Sequence, residues 1–549
     1  MLTARHRLMA KCVVVALSLC AATMPLGAAE TADSQRIEER LPVDQPKPDV
    51  ATPRPVRVDE QDLASIPQFF LKSVVIEGMT AIEPAEAEAC YRELTGKEVG
   101  GASLVGVTRC LTQLYRDRDY FLSRAIIPPQ EVIDGNLTVR VFEGYIASVQ
   151  PDGLDQADAD SHFAPAFAER PTTLATFERS LLLLADRYGQ RIASTRLAAD
   201  EADPARYTLK IAVKLTHVGW RAFGDNRGDA HQGPEQGLLS VSLNSPFGAS
   251  DRIVAQLFTA PADTKELIFA DIGYGRGWFG GDLWTEVGVS TSRSSSGGAF
   301  PDFVSESDRR YARLIVPLLR SREQSLWVRL QADVRDTESV YLDASEVHER
   351  TRVLRGSFSY ALVAGAMRAD VSLEASRGLD AFDASKTGDA SLSLPDGRPQ
   401  FTKAKLDATI THALFAKLDV VVTGSAQWAD GALVGSEEFG AGGARFGRAY
   451  DYSEIVGDQG LAGAIELRWT WRQINDWLTS VQVYAFADAA TVWNNDTPSE
   501  SLTSAGGGVR LGVIPGFVAA VEVAKPLSRD VQSQGDRTSR VFVSLSAAW

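Results

Sequence analysis

The sequence predicts a β-dominated α+β protein: two small β-α-α-β-β modules, then a transmembrane antiparallel β-barrel of about 16 strands. Three observations carry this. Residues 217–549 alternate apolar and polar side chains with a period of two. Residues 69–216 run twice through one order of strand and helix patterns. The first 29 residues read as an export address.

The address comes first. Arg5, Arg7 and Lys11 precede an apolar run from Cys12 to Ala22, and Gly27, Ala28 and Ala29 offer a cleavage site before Glu30. The run is too short to span a bilayer comfortably. Leu19 before Cys20 is a poor fit for lipidation. Residues 30–68 hold Pro42, Pro46, Pro48, Pro53 and Pro55, a density that favours an extended tether.

The first module spans 69–145. Leu71 to Ile76 reads as a strand, and Pro84 opens a helix through Leu94. Ser103 can cap a second helix, in which Val107, Leu111 and Leu114 share a face. Tyr120 to Ile127 and Leu137 to Phe142 read as strands. Cys90 and Cys110 fall on the two expected helices; an oxidising compartment favours a disulfide between them, against two buried thiols.

The second module spans 146–216. Ile146 to Val149, Ile192 to Leu197 and Tyr207 to Val213 read as strands, and Leu174 to Asp186 as a helix. A further helix is expected within 151–170, where the pattern is weak.

The barrel pattern is plain in single segments. Leu326, Val328, Leu330, Ala332 and Val334 alternate with Trp327, Arg329, Gln331, Asp333 and Arg335. Ile465, Leu467, Trp469 and Trp471 alternate with Glu466, Arg468, Thr470 and Arg472. Many such segments without a covering helix favour one face on lipid and the other on a lumen.

Composition narrows the function. Lys and Arg number 56 against 71 Asp and Glu, for a net charge of −15, so a nucleic-acid partner is not expected. The mean hydropathy of −0.10 excludes a bundle of membrane helices but not a membrane barrel. No H-E-x-x-H, P-loop or G-x-S-x-G occurs. His162, His217, His231, His348 and His412 are dispersed, so no catalytic residue, metal or cofactor is expected. Gly275 to Gly280 matches G-x-G-x-x-G, but a strand pattern follows where a dinucleotide site needs a helix; it reads as a hairpin turn.

Specific segments resemble a known family. Tyr115 to Tyr120, Ile127-Pro128-Pro129-Gln130, Asp134 to Leu137 and Glu143-Gly144 resemble its first POTRA (polypeptide-transport-associated) module, with Asp119 where that family usually has Gly. Phe177 to Leu184 resembles the second module's helix, Asp225-Asn226-Arg227-Gly228 the barrel's start, and Ala524 to Leu527 a segment near its end. The resemblance is to the transporter component (TpsB) of two-partner secretion, the haemolysin and filamentous-haemagglutinin secretion/activation proteins.

The resemblance implies an outer-membrane pore with its POTRA modules in the periplasm. It also implies an unfolded partner exoprotein captured by those modules, contact with outer-membrane lipid, and insertion by the barrel assembly machinery. With no nucleotide motif, the expected drive is folding of the cargo outside. An insertase for other barrels and a diffusion porin are the alternative readings. The closing strand ending at Trp549 is similar to the family's targeting signal. Phe446-Gly447-Arg448-Ala449-Tyr450 resembles a Val-Arg-Gly-Phe/Tyr tip on a loop folded back into the lumen, with Gly447 and Ala449 departing from the pattern. Ala449 stands where the family has Gly, so a left-handed backbone there would be strained. Phe486 and Asp488 resemble the inner-wall motif, with Asp488 the expected partner of Arg448.

Overall fold

The computed structural model describes residues 66–228, 233–248, 250–295, 303–341, 345–494 and 498–549. The expected export address at 1–29, and the tether at 30–68 as far as residue 65, lie outside the described residues.

In the first module, Asn136–Phe142 is the central strand. It pairs parallel with Ser73–Glu77 and antiparallel with Arg124–Ile126. The helix Gly101–Arg116 packs on this sheet through Leu104, Val107, Leu111 and Tyr115, which share one buried face. It starts two residues before Ser103, behind Gly100, with no side-chain cap. The other helix stops at Glu88, and a 3-10 turn follows at Arg92–Leu94. The expected run to Leu94 breaks where Cys90 turns to bond Cys110.

Glu143 ties this module's loops together. Its carboxylate accepts from Thr80 N (2.6 Å), Ala81 N (2.7 Å) and the Tyr115 hydroxyl (2.6 Å). Burial pushes its pKa up, but these hydrogen bonds outweigh burial and hold it below the ordinary carboxylate value.

The second module has the same build. Arg206–Leu215 is central, with Tyr145–Asp152 parallel on one side and Gln190–Ala199 antiparallel on the other. The weakly signalled helix is Gln156–Ala168, capped by the Asp155 carboxylate on Ala157 N (2.9 Å) and Asp158 N (3.2 Å). Its buried face is Ala159, His162, Phe163 and Ala166, and Pro165 sits inside it, so little apolar periodicity shows in the sequence.

The two modules share a joint. Asp119 takes φ +70°, a left-handed conformation open to Gly and tolerated by Asp. Leu174 N donates to its carbonyl (2.8 Å) and Ala175 N to its carboxylate (3.0 Å). An anion thus meets the first turn of the helix Leu174–Asp186, where it is stabilising. Phe121 stacks on Phe177 at 5.5 Å, and Leu122 lies in the second module's core. These contacts take up residues 120–123, so the first module's strand is shorter than the run from Tyr120 to Ile127.

Among the described residues, sixteen antiparallel strands close into a barrel, as the alternation predicts. Outward positions such as Leu239, Val241, Leu330, Leu373 and Ile465 are exposed apolar side chains, while inward Asp333 and Glu466 are buried. The first strand, Val218–Asp225, pairs with the sixteenth, Arg540–Ala548, from Asp225↔Ser544 to Arg221↔Ala548. Beyond that ladder the Asn226 side chain stands in for backbone. Its amide nitrogen donates to Val541 O (3.1 Å), and Val543 N donates to its oxygen (2.7 Å). At the other end Trp220 and Trp549 exchange backbone hydrogen bonds at 2.9 Å and stack at 4.3 Å.

Candidate functional site

Residues 430–458 link the eleventh strand, Leu418–Ala429, to the twelfth, Gln459–Arg472. The segment turns back on itself through the short pair Phe439–Ala441 and Ile455–Gly457, and its tip carries Phe446 to Tyr450. It packs against inward-facing side chains of the wall.

The tip's positive φ falls on Gly447 (+73°), not on Ala449, so alanine at 449 carries no strain there. A Cβ at 447 would meet Leu502 Cδ1 at 2.6 Å. Phe446, Ala449 and Tyr450 are buried in one apolar cluster with Leu502 and Phe486. The Tyr450 hydroxyl donates to Thr503 O at 3.0 Å.

Arg448 extends into three carboxylates. Its Nη1 donates to Glu466 Oε2 at 2.5 Å and lies 3.6 Å from Glu522 Oε2. Its Nε is 3.9 Å from Asp488 Oδ2, beyond hydrogen-bond reach. The guanidinium stacks on Phe486 at 4.2 Å. Asp488, on the thirteenth strand Ser480–Trp493, receives the tip's backbone instead: Gly447 N at 3.0 Å and Arg448 N at 3.3 Å, with Ser504 Oγ at 2.5 Å. Phe486 and Asp488 therefore both touch the tip, while the short ion pair belongs to Glu466.

The strand alternation marks Glu466 as lumen-facing but does not say which loop residue reaches it. Arg227 and Arg540 also touch the tip. Arg227 Nη1 donates to Arg448 O (3.1 Å), and Arg540 Nη1 donates to Ala449 O (3.3 Å) and pairs with Asp451 (2.8 Å). They flank the junction of first and last strands, a relation no local pattern encodes.

The second module docks at the turn Phe279–Gly281, the end of the G-x-G-x-x-G segment. Gly280 (φ +69°) sits beside His162, where a Cβ would lie 3.2 Å from Nδ1. Arg179 reaches Asp282 (2.7 Å) and Pro317 O (2.9 Å), and Arg320 forks onto Asp186 at 2.7 and 2.9 Å. Tyr188 donates to Glu286 at 3.0 Å, on the strand Leu283–Ser295.

His162 confers a pH dependence on this contact. Burial and Arg187 lower its pKa from 6.5 to about 4, with the hydrogen bond to the Ser180 carbonyl, Asp158 and Asp282 opposing. Neutral imidazole satisfies both neighbours: Nε2 donates to Ser180 O (2.6 Å) and Nδ1 accepts from Arg187 (3.2 Å). Between about pH 6.5 and 4 the unfolded chain binds a proton that the folded one refuses. Acidification through that window is expected to remove about 3 kcal/mol from the second module. Chemical denaturation at pH 7 and pH 4, followed within residues 156–186, checks this; equal stability at both would contradict it.

A closed barrel with a loop turned into its lumen and α/β modules docked below its turns is the architecture of an outer-membrane barrel protein with POTRA modules. The chain belongs to the haemolysin secretion/activation protein ShlB/FhaC/HecB family, whose model matches residues 214–511. A ShlB-type POTRA domain matches 69–144. The barrel lies in the outer membrane, and the POTRA domain is periplasmic.

The chain is 23% identical over 190 residues to the outer membrane transporter CdiB of Escherichia coli, covering 34% of this chain and 32% of that one. It is 21% identical over 271 residues to the heme/hemopexin transporter protein HuxB of Haemophilus influenzae (strain 86-028NP), covering 47% of each. The matches thus span from about a third to about half the length of these relatives. The solved structure of Escherichia coli CdiB has the same fold, with a TM-score of 0.71 at 18% identity, covering 91% of this chain and 94% of that one.

Proposed function

We propose that this protein captures an incompletely folded exported partner at its periplasmic modules and passes it through the barrel to the cell surface. The activity is transport, not catalysis. The observation that carries the reading is the loop 430–458: it folds back against lumen-facing side chains and is held by ion pairs, hydrogen bonds and an apolar cluster at its tip, not by the barrel's strand ladder, so it can be displaced without unfolding the wall.

Gln190–Ala199 is an edge strand with half its residues exposed, and it begins two residues after Tyr188 at the barrel mouth. An extended cargo segment added to that edge by β-augmentation is delivered to the mouth. The outward apolar side chains meet outer-membrane lipid, and the strand ending at Trp549 serves as the signal read by the barrel assembly machinery.

Deletion followed by comparison of secreted and membrane proteins tests the proposal. Loss of one exoprotein from the medium, with it retained in the periplasm, supports it. Loss of many outer-membrane proteins would make the chain an insertase. Solute flux through the purified protein with no exoprotein affected would make it a porin.

A further inference from the structure

The loop carries opposite charges at its two ends. At the tip, Arg448 sits among carboxylates of the twelfth, thirteenth and fifteenth strands. At the base, Glu437 in the 3-10 turn Gly435–Glu437 is buried against cations of a different arc of the wall. Arg355, on the eighth strand Ser345–Ala364, grips its carboxylate through Nη2 (2.6 Å) and Nη1 (3.1 Å). Lys403, on the tenth strand Thr402–Phe415, pairs with it at 2.7 Å. Lys403 Nζ and Gln427 Nε2 also donate to the Glu437 carbonyl, at 2.9 and 3.0 Å.

The chain of charges continues. Arg355 Nε donates to Asp333 at 3.1 Å, and Arg309 Nε donates to the same carboxylate at 2.8 Å. Lys403, Glu437, Arg355, Asp333 and Arg309 thus alternate in sign across four strands, with the loop residue as the second link. Lys403, Glu437 and Asp333 are each less than one tenth exposed. Removing Glu437 takes the carboxylate from the buried Lys403 and leaves Arg355 with Asp333, the situation in which a lost partner of a buried ion pair is destabilising.

We propose that Glu437 is a positioning residue: a second anchor, opposite in sign to Arg448, that fixes the register of the loop in the lumen. One anchor holds a tip but lets the rest of a loop slide. Two anchors of opposite sign, each facing a complementary wall, admit one register, because a slipped loop would bring like charges together. The proposal rests on reading the loop as the movable element of a translocation pore, but it makes no use of cargo.

The test uses the purified full-length protein. In Glu437→Gln, protease cleavage within residues 430–458 is expected to rise roughly tenfold, because cleavage tracks the population of the released loop. Mean conductance in planar bilayers rises with it, while the heat-sensitive gel migration of the closed barrel stays parental. Glu437→Asp, which keeps the charge, restores most of the protection. Lys403→Met leaves the loop sequence intact and moves both readouts the same way by a smaller factor. If Glu437→Gln does not assemble, Lys403→Met decides alone. Parental cleavage and conductance in the variants that assemble would overturn the proposal. Because neither readout needs an exported partner, failure here and failure of the secretion reading are separable.

Discussion

Arg448→Asp is expected to unseat the loop and abolish export while the barrel still closes. The wild-type guanidinium lies against Glu466, Glu522 and Asp488, all three less than one tenth exposed. Reversal removes one partner of a buried pair, at about 3–5 kcal/mol, and adds repulsion on top. The wall itself does not depend on the tip: Glu466 still meets Arg468 on its own strand and Arg510 on the fourteenth strand, Glu500–Ile514, at 2.5 and 2.8 Å. Two measurements check this: partner protein in the medium, and cleavage within residues 430–458 of the outer-membrane-inserted protein. Wild-type values for both would remove the loop tip from the mechanism.

The second large effect belongs to the first module. Cys90 and Cys110 are bonded across a sequence separation of 20. Closing a loop of that size in the unfolded chain stabilises the folded one by about 3 kcal/mol. The module is small, with one long and one short helix and a three-stranded sheet around its core, so this is a large share of its stability. Cys90→Ser with Cys110→Ser, or reduction of the native protein, is expected to lower the module's melting point by roughly 10 °C or more. The barrel melts separately and is unaffected. Hydrogen exchange across Gly101–Arg116 reads the difference, and unchanged protection would contradict it.

The barrel was the most legible part of the sequence because its signal is local. A strand with lipid on one face and a lumen on the other must alternate, so Leu330 and Asp333 declare their sides without reference to any neighbour. The helix Leu174–Asp186 was legible for the same reason, with its four consecutive leucines. Gln156–Ala168 was faint because two alanines, one histidine and a single phenylalanine face the core. The loop tip was legible only through its resemblance to a family pattern. That pattern pointed to Phe486 and Asp488, both in contact with the tip, but not to Glu466, which holds the short ion pair. Glu437 left no mark, since one acidic residue in a loop looks like any other until the fold brings Arg355 and Lys403 to it. Arg227 and Arg540 lie at opposite ends of the barrel sequence and reach the same loop tip only because the sheet closes.

The joint at Asp119 decides how force travels. A string of modules on slack linkers transmits tension and nothing else. Here the first module is stapled to the second by a carboxylate on a helix end and by stacked Phe121 and Phe177. The second is forked onto the barrel through Arg320 and Asp186. Two fixed joints in series make a beam, and a beam carries a bending moment. A sideways pull on the far module therefore becomes a torque on the barrel's mouth.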